Sequence, residues 1–96
     1  MSEIVRKEYS PHDGAWVIER DGETLAELYY KSAPARIVLE HTTVSDKLRG
    51  TGAGKKLIEA AVQWAREAKV TVIAECPFAQ SVFKKNPELR DVLLKY

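Results

Sequence analysis

The sequence predicts an α+β domain, a mostly antiparallel five-stranded sheet with one β–loop–α–β unit built in. Three observations carry this. The first half is a series of β-rich runs separated by turn formers. The second half changes to helical periodicity. Between them lies Leu48-Arg49-Gly50-Thr51-Gly52-Ala53-Gly54-Lys55-Lys56-Leu57, where three glycines alternate over five positions.

Residues 4–9 form the first predicted strand, closed by the turn formers Ser10-Pro11-His12-Asp13-Gly14. Residues 15–20 (Ala-Trp-Val-Ile-Glu-Arg) form the second, and Asp21-Gly22 is a two-residue hairpin signal. Residues 23–30 return as the third strand, with Leu25 and Leu28-Tyr29-Tyr30 supplying apolar weight. Ala33-Pro34 breaks the chain, and residues 36–44 (Arg-Ile-Val-Leu-Glu-His-Thr-Thr-Val) form the fourth. After the glycines, Leu57, Ala61, Trp64, Ala65 and Ala68 fall on one stripe of an amphipathic helix. Residues 70–74 are apolar apart from Thr71, which suggests a strand buried on both faces. They belong inside the sheet, parallel to the fourth strand across a helical crossover. Pro77 suits the first turn of a second helix reaching about Asn86. Asn86-Pro87 caps a last short helix whose Leu89, Val92, Leu93 and Tyr96 share a face.

Ninety-six residues make one domain, 1–96, with a single small core. A formal charge of +1 gives no long-range field for nucleic acid, so no nucleic-acid partner is expected. The lone Cys76 excludes an internal disulfide framework, and with two histidines it makes a metal site unexpected. No apolar run approaches the ~20 residues of a membrane span, and Met1-Ser2-Glu3 begins no signal peptide. A cytoplasmic, reduced, membrane-free setting is the expectation.

The glycines suit an anion. Glycine permits positive φ and leaves no Cβ between backbone and ligand, and the following helix aims its free N–H groups and positive dipole end at the loop. Two nucleotide motifs fail on spacing. A Walker A loop needs Gly-x-x-x-x-Gly-Lys-Ser/Thr, but Gly50 and Gly54-Lys55 are one residue too close and Lys56 replaces the hydroxyl. A dinucleotide fingerprint needs Gly-x-Gly-x-x-Gly in a doubly wound fold, and Gly50-x-Gly52-x-Gly54 ends wrongly in an antiparallel setting.

Arg49-x-x-Gly52-x-Gly54, between a strand ending in Val44 and a helix, resembles the Arg/Gln-x-x-Gly-x-Gly/Ala pattern of the GNAT acetyltransferase superfamily. Glu75-Cys76-Pro77-Phe78 after the fifth strand and His41-Thr42-Thr43-Val44 on the fourth resemble its compact YjdJ-type branch, over nearly the whole chain. The resemblance implies a GNAT-like fold with acetyl-CoA as co-substrate and an amine acceptor, small molecule or protein. It implies that the amides of Arg49, Gly50, Thr51, Gly52, Ala53, Gly54 and Lys55 hold the pyrophosphate. Thr43, Val44 and Ser45 would line the pantetheine and acyl carbonyl, with Pro77 and Phe78 beside them. Typical members are longer, with helices after the first strand that help wall the acceptor site. None is predicted here, so the donor side is retained while the acceptor side is short.

Three side chains are candidates for the chemistry. Alternation places Glu40 and Thr42 on one strand face and His41 and Thr43 on the other. His41 fits a proton acceptor for an attacking amine and equally a hydrogen-bonded strand histidine. Glu40 matches the region where many relatives place a carboxylate base, and also fits a solvated strand position. Cys76 precedes Pro77 at a helix N-cap, where amides and dipole favour a thiolate nucleophile; simple packing is the alternative. Among the lysines and arginine, Arg49 and Lys55 are placed by the motif, whereas Lys47, Lys56, Lys84 and Lys85 read equally as solvated charge. Phe78, Phe83, Trp16 and Trp64 read as core, and Thr42-Thr43 as strand propensity. Two functions therefore stand: a small N-acetyltransferase, or a CoA-binding sensor or interaction module without catalysis. A different phosphate ligand is a weaker third.

Overall fold

A computed structural model of the chain describes residues 3–95; Met1, Ser2 and Tyr96 lie outside the described residues, and with them the readings made on those three. Strands β1 (Glu3–Ser10), β2 (Asp13–Arg20), β3 (Glu23–Ala33) and β4 (Arg36–Val44) lead into helix α1 (Ala53–Ala68). Strand β5 (Thr71–Ala74), helix α2 (Pro77–Lys85) and strand β6 (Leu93–Lys95) complete the order. All six strands form one sheet in sequence order. The first four pair antiparallel, and β4–β5 and β5–β6 pair parallel. Asp21 and Gly22 both take positive φ, 52° and 81°, the backbone that a tight two-residue hairpin needs.

Both helices fall on one face of the sheet and share a single core with it. Ile18, Leu28, Tyr30, Ile37 and Leu39 meet Leu57, Ile58, Ala61 and Val62 of α1 and Ala79, Val82 and Phe83 of α2. Each fully buried Leu, Ile or Phe contributes roughly 1.5–3 kcal/mol, so this one layer supplies most of the fold's driving force. The buried stripe of α1 includes Ile58 and Val62, and Ala68 is exposed, so the helix is rotated slightly from the expected stripe. Trp16 is core, and Trp64 packs against it edge-on at 5.9 Å.

Residues 87–95 correct the sequence reading. The expected last helix is a 3₁₀ stretch, Pro87–Val92, followed by the sixth strand, in which Leu93 pairs with Val72. Without β6 the short β5 would present an unpaired edge, and satisfying its ladder outweighs a marginal helical pattern. Asn86 does not cap that stretch with its side chain; its Nδ2 donates to Val82 O at 2.7 Å, closing α2 instead.

A second correction is local. Tyr29 pairs with His41 and Tyr30 with Leu39, so Glu40 is the extra residue of a β-bulge. Strict alternation is broken there. Leu39 and Thr42 both point towards the helices, and Glu40 does not share the face of Thr42; its carboxylate lies 3.6 Å from Lys31 Nζ.

Candidate functional site: a groove between splayed strands

The pairing of β4 with β5 ends at Leu39 and Ala74. The N–H groups of Glu75 and Cys76 both bond to Leu39 O at 3.0 Å, and the chain then turns into α2. Residues 40–44 therefore face no strand on that side. Ser45 N–H bonds to Leu25 O at 2.7 Å, so ladder alternation turns His41 and Thr43 towards β3. The backbone N–H and C=O groups of Thr42 and Val44 are left on the open edge.

A groove of about 560 Å³ runs along this edge, floored by Thr42 and Val44 and walled by the glycine loop and α2. Gly50 and Gly52 adopt φ of 81° and 79°, the left-handed region in which a side chain is strained. Gly54 is glycine for another reason: a Cβ there would sit 2.5 Å from Phe78 Cζ. The first bond within α1 runs from Lys56 N–H to Gly52 O, leaving the N–H groups of Ala53, Gly54 and Lys55 without a helical partner. Gly52 provides no side-chain cap, and no acidic residue lies in the first turn. A helix start of this kind has positive potential and open donors, the requirements for an anion. Lys55 and Lys85 line the groove, and among the described residues neither forms an ion pair. Arg49 also lines it, held 2.6 Å from Asp46 at a highly exposed position.

Of the residues expected at the cofactor, the groove brings together Val44, Arg49, Gly50, Gly52, Ala53, Gly54, Lys55 and Phe78. It does not gather the other four. Thr43 and Ser45 line a hollow on the opposite face of the sheet. Thr51 donates its hydroxyl to Leu48 O at 2.6 Å and lines a smaller hollow beside Arg20 and Lys56. Pro77 is exposed at the start of α2 without lining the groove. Phe78 corrects a core reading: it is 40% exposed, whereas Phe83 is fully buried.

The catalytic candidates divide between the two faces. Cys76 is buried on the helix side at the N-cap of α2, its Sγ 3.3 Å from Thr42 Oγ1. That contact gives Thr42 a role that strand propensity did not. His41 is exposed on the other face, its ring 6.2 Å from that of Tyr29, and Glu40 lies beside it in the bulge. The sequence reading also missed the wall formed by Ser81, Val82 and Asn86. Phe78, Ser81, Val82, Lys85 and Asn86 are spaced by three, one, three and one, a single helical face, and that spacing was the available signal.

Comparison with known proteins gives this geometry its setting. The family model for GCN5-related N-acetyl-transferases matches residues 15–92. The chain belongs to this family. It is 38% identical over 63 residues to protein NATD1 of Homo sapiens and of Bos taurus, which covers 65% of this chain and 56% of either relative. The matched stretch thus spans little more than half the length of those relatives. An NMR structure of a GCN5-like candidate N-acetyltransferase from Staphylococcus aureus is 36% identical with a TM-score of 0.75, over 98% of this chain and 89% of that one. A streptothricin acetyltransferase candidate from Bacillus anthracis, solved with acetyl coenzyme A, shares the fold at 22% identity and a TM-score of 0.60. That alignment covers 83% of this chain and 48% of that one. Among the described residues, no helix is long and apolar enough to cross a membrane, and no cluster of three or more metal-ligating side chains is present.

Proposed function

We propose that the chain binds acetyl-CoA in the groove and transfers its acetyl group to an amine. The observation that carries this is the uncapped, acid-free start of α1, facing a groove floored by the unpaired edge of β4. The pyrophosphate would accept from the N–H groups of Gly52, Ala53, Gly54 and Lys55, with Lys55 and Lys85 as charge partners. The pantetheine amides would pair with Thr42 and Val44 as an added strand would. An N–H group on that edge would polarise the thioester carbonyl. The amine lone pair attacks that carbonyl carbon, the N–C bond forms and the C–S bond breaks. CoA thiolate leaves, and the ammonium proton passes to His41 and then to solvent. His41 suits this role because it lies on the face opposite the helices, where an amine can approach without displacing the donor.

A covalent route through Cys76 is favoured by one observation, its N-cap position beside the groove residue Thr42. Sγ would attack the thioester carbon as the C–S bond to CoA breaks, its proton passing to the departing CoA thiolate; the amine would then attack that carbon, the bond to Sγ would break, and the ammonium proton would return to Sγ. Release of CoA thiol from acetyl-CoA in the presence of a broad amine panel tests the transferase. Mass spectrometry after incubation with labelled acetyl-CoA separates the routes. An adduct at Cys76 and an inactive Cys76→Ala variant support the covalent route, and a fully active Cys76→Ala eliminates it. Tight CoA binding with no turnover for any amine would leave a non-catalytic CoA-binding module instead.

A further inference from the structure

The groove has two chemically different ends. The glycine loop and its cations lie at one, and the point where β4 and β5 part lies at the other. From Leu39 the strand β4 runs through Thr42 and Val44 towards the loop. A pantetheine arm that starts from a pyrophosphate on the loop and follows β4 back thus brings its sulfur to Thr42. There Thr42 Oγ1 meets Cys76 Sγ at 3.3 Å. Cys76 is only 4% exposed and does not line the groove, whereas Thr42 does. The hydroxyl stands between the buried thiol and the groove.

A thiolate expelled at neutral pH takes up a proton, because an ordinary thiol ionises only near pH 8.5. No Asp, Glu, His or Tyr lines the groove to supply one. Its charges are Arg49, tied to Asp46, and Lys55 and Lys85, which face the phosphate end. Ser81 donates its hydroxyl to Phe78 O, and Asn86 Nδ2 donates to Val82 O. His41 and Glu40 belong to the other face, and Glu75 is exposed. Thr42 is left, and a hydroxyl can give one proton while accepting another. Behind it Cys76 can release a proton at low cost. The first bond within α2 runs from Gln80 N–H to Cys76 O, so the N–H groups of Phe78 and Ala79 lack a helical partner. With no acidic residue in that first turn, a negative charge at the N-cap is stabilised.

We propose that Thr42 is a catalytic residue that hands a proton to the departing CoA sulfur and takes one from Cys76. The proposal rests on the donor reading given above. As the C–S bond breaks, its electron pair goes to sulfur. The Thr42 O–H bond breaks as the new S–H bond forms, and Oγ1 takes the proton of Cys76 Sγ. On the direct route Cys76 regains a proton from solvent, into which His41 has released the one taken from the ammonium. On the covalent route the same hydroxyl carries the Sγ proton to the same sulfur, and the ammonium returns it to Sγ.

Thr42→Val keeps the branched shape and removes the hydroxyl, and Thr42→Ser keeps the hydroxyl. The first measurement is a pH titration, by NMR, of protein-bound CoA labelled with carbon-13 beside its sulfur. A hydroxyl that donates to sulfur favours the thiolate, so Thr42→Val should raise the ionisation pH of the bound thiol by about one unit. Thr42→Ser should restore the wild-type value. The second is acetyl transfer to hydroxylamine. Thr42→Val and Cys76→Ala should each lower kcat at least about tenfold with the acetyl-CoA KM within about twofold, and Thr42→Ser should keep most of the rate. A bound thiol that titrates alike in wild type and Thr42→Val overturns the proposal. So does wild-type kcat in Thr42→Val or in Cys76→Ala. Where hydroxylamine is not acetylated, the titration alone decides. Failure of CoA to bind overturns the donor reading and this proposal with it, whereas bound CoA with an unchanged titration overturns this proposal alone.

Discussion

Replacing Gly54 with alanine separates the groove's shape from the stability of the fold. The new Cβ would lie 2.5 Å from Phe78 Cζ and 2.7 Å from Cε2. Ordinary carbon contacts are about 3.5–4.0 Å, so the ring tip must retreat by roughly 1 Å or more. It can do so cheaply, because the ring is the far end of a side chain 40% exposed on the first turn of α2. Alanine is also preferred to glycine inside a helix by about 1 kcal/mol, which offsets the displacement. Gly54→Ala should therefore change unfolding free energy by no more than about 1 kcal/mol, with an unchanged denaturant slope. The groove wall does move, and acetyl-CoA affinity should fall about tenfold, or about 1.4 kcal/mol. Urea unfolding and calorimetry measure the two separately. Phe78→Leu removes the ring tip, so adding it to Gly54→Ala should recover part of the affinity. Unchanged affinity in Gly54→Ala, or a stability loss above roughly 3 kcal/mol, refutes the reasoning.

Three further outcomes follow from other features. Gly52→Ala forces a side chain into φ of 79° and should cost about 1–2 kcal/mol with nothing in contact; an unaltered urea midpoint contradicts it. Tyr9, which donates to Glu27 Oε2, and Tyr29, which donates to Asp13 Oδ2, should resist ionisation until about pH 12, read by phenolate absorbance. Their folded values are raised, so the associated stabilisation is present below about pH 10 and lost as pH rises towards 12; ionisation of every tyrosine by pH 11 would deny the carboxylate bonds. Arg66 holds Asp91 in two hydrogen bonds and also donates to Glu88 O, tying the 3₁₀ stretch to α1. Arg66→Ala should lower Tm at neutral pH. The bonds to Arg66 depress the Asp91 carboxyl, so that gap should narrow as pH falls below about 4 and the carboxyl protonates; a constant gap argues against the pair.

Much of this was legible where the signals are local. The glycine spacing located the uncapped helix start, Asp21-Gly22 located its hairpin, and residues 36–44 matched β4. What escaped depends on pairing between distant residues. The bulge at Glu40 exists only as a register against Tyr29 and Tyr30, and no property of His41 or Glu40 announces it. Leu93 carries apolar character that serves a helix or a strand equally, and only the free edge of β5 decides between them. Tyr9 reaching Glu27 joins strands that are not neighbours in the sheet. Phe78 looked like core because aromatic residues usually are, yet Phe83 filled that place and left Phe78 on the groove.

The central claim is that the loop from Gly50 to Lys55 binds the pyrophosphate of CoA. Calorimetric titration of CoA and acetyl-CoA into the wild type and into Gly52→Glu tests it most directly, with circular dichroism confirming that the variant is folded. The account predicts saturable one-to-one binding by the wild type and its loss in the variant, whose carboxylate would occupy the positive end of α1. No heat from the wild type, or equal heat from a folded variant, would contradict it.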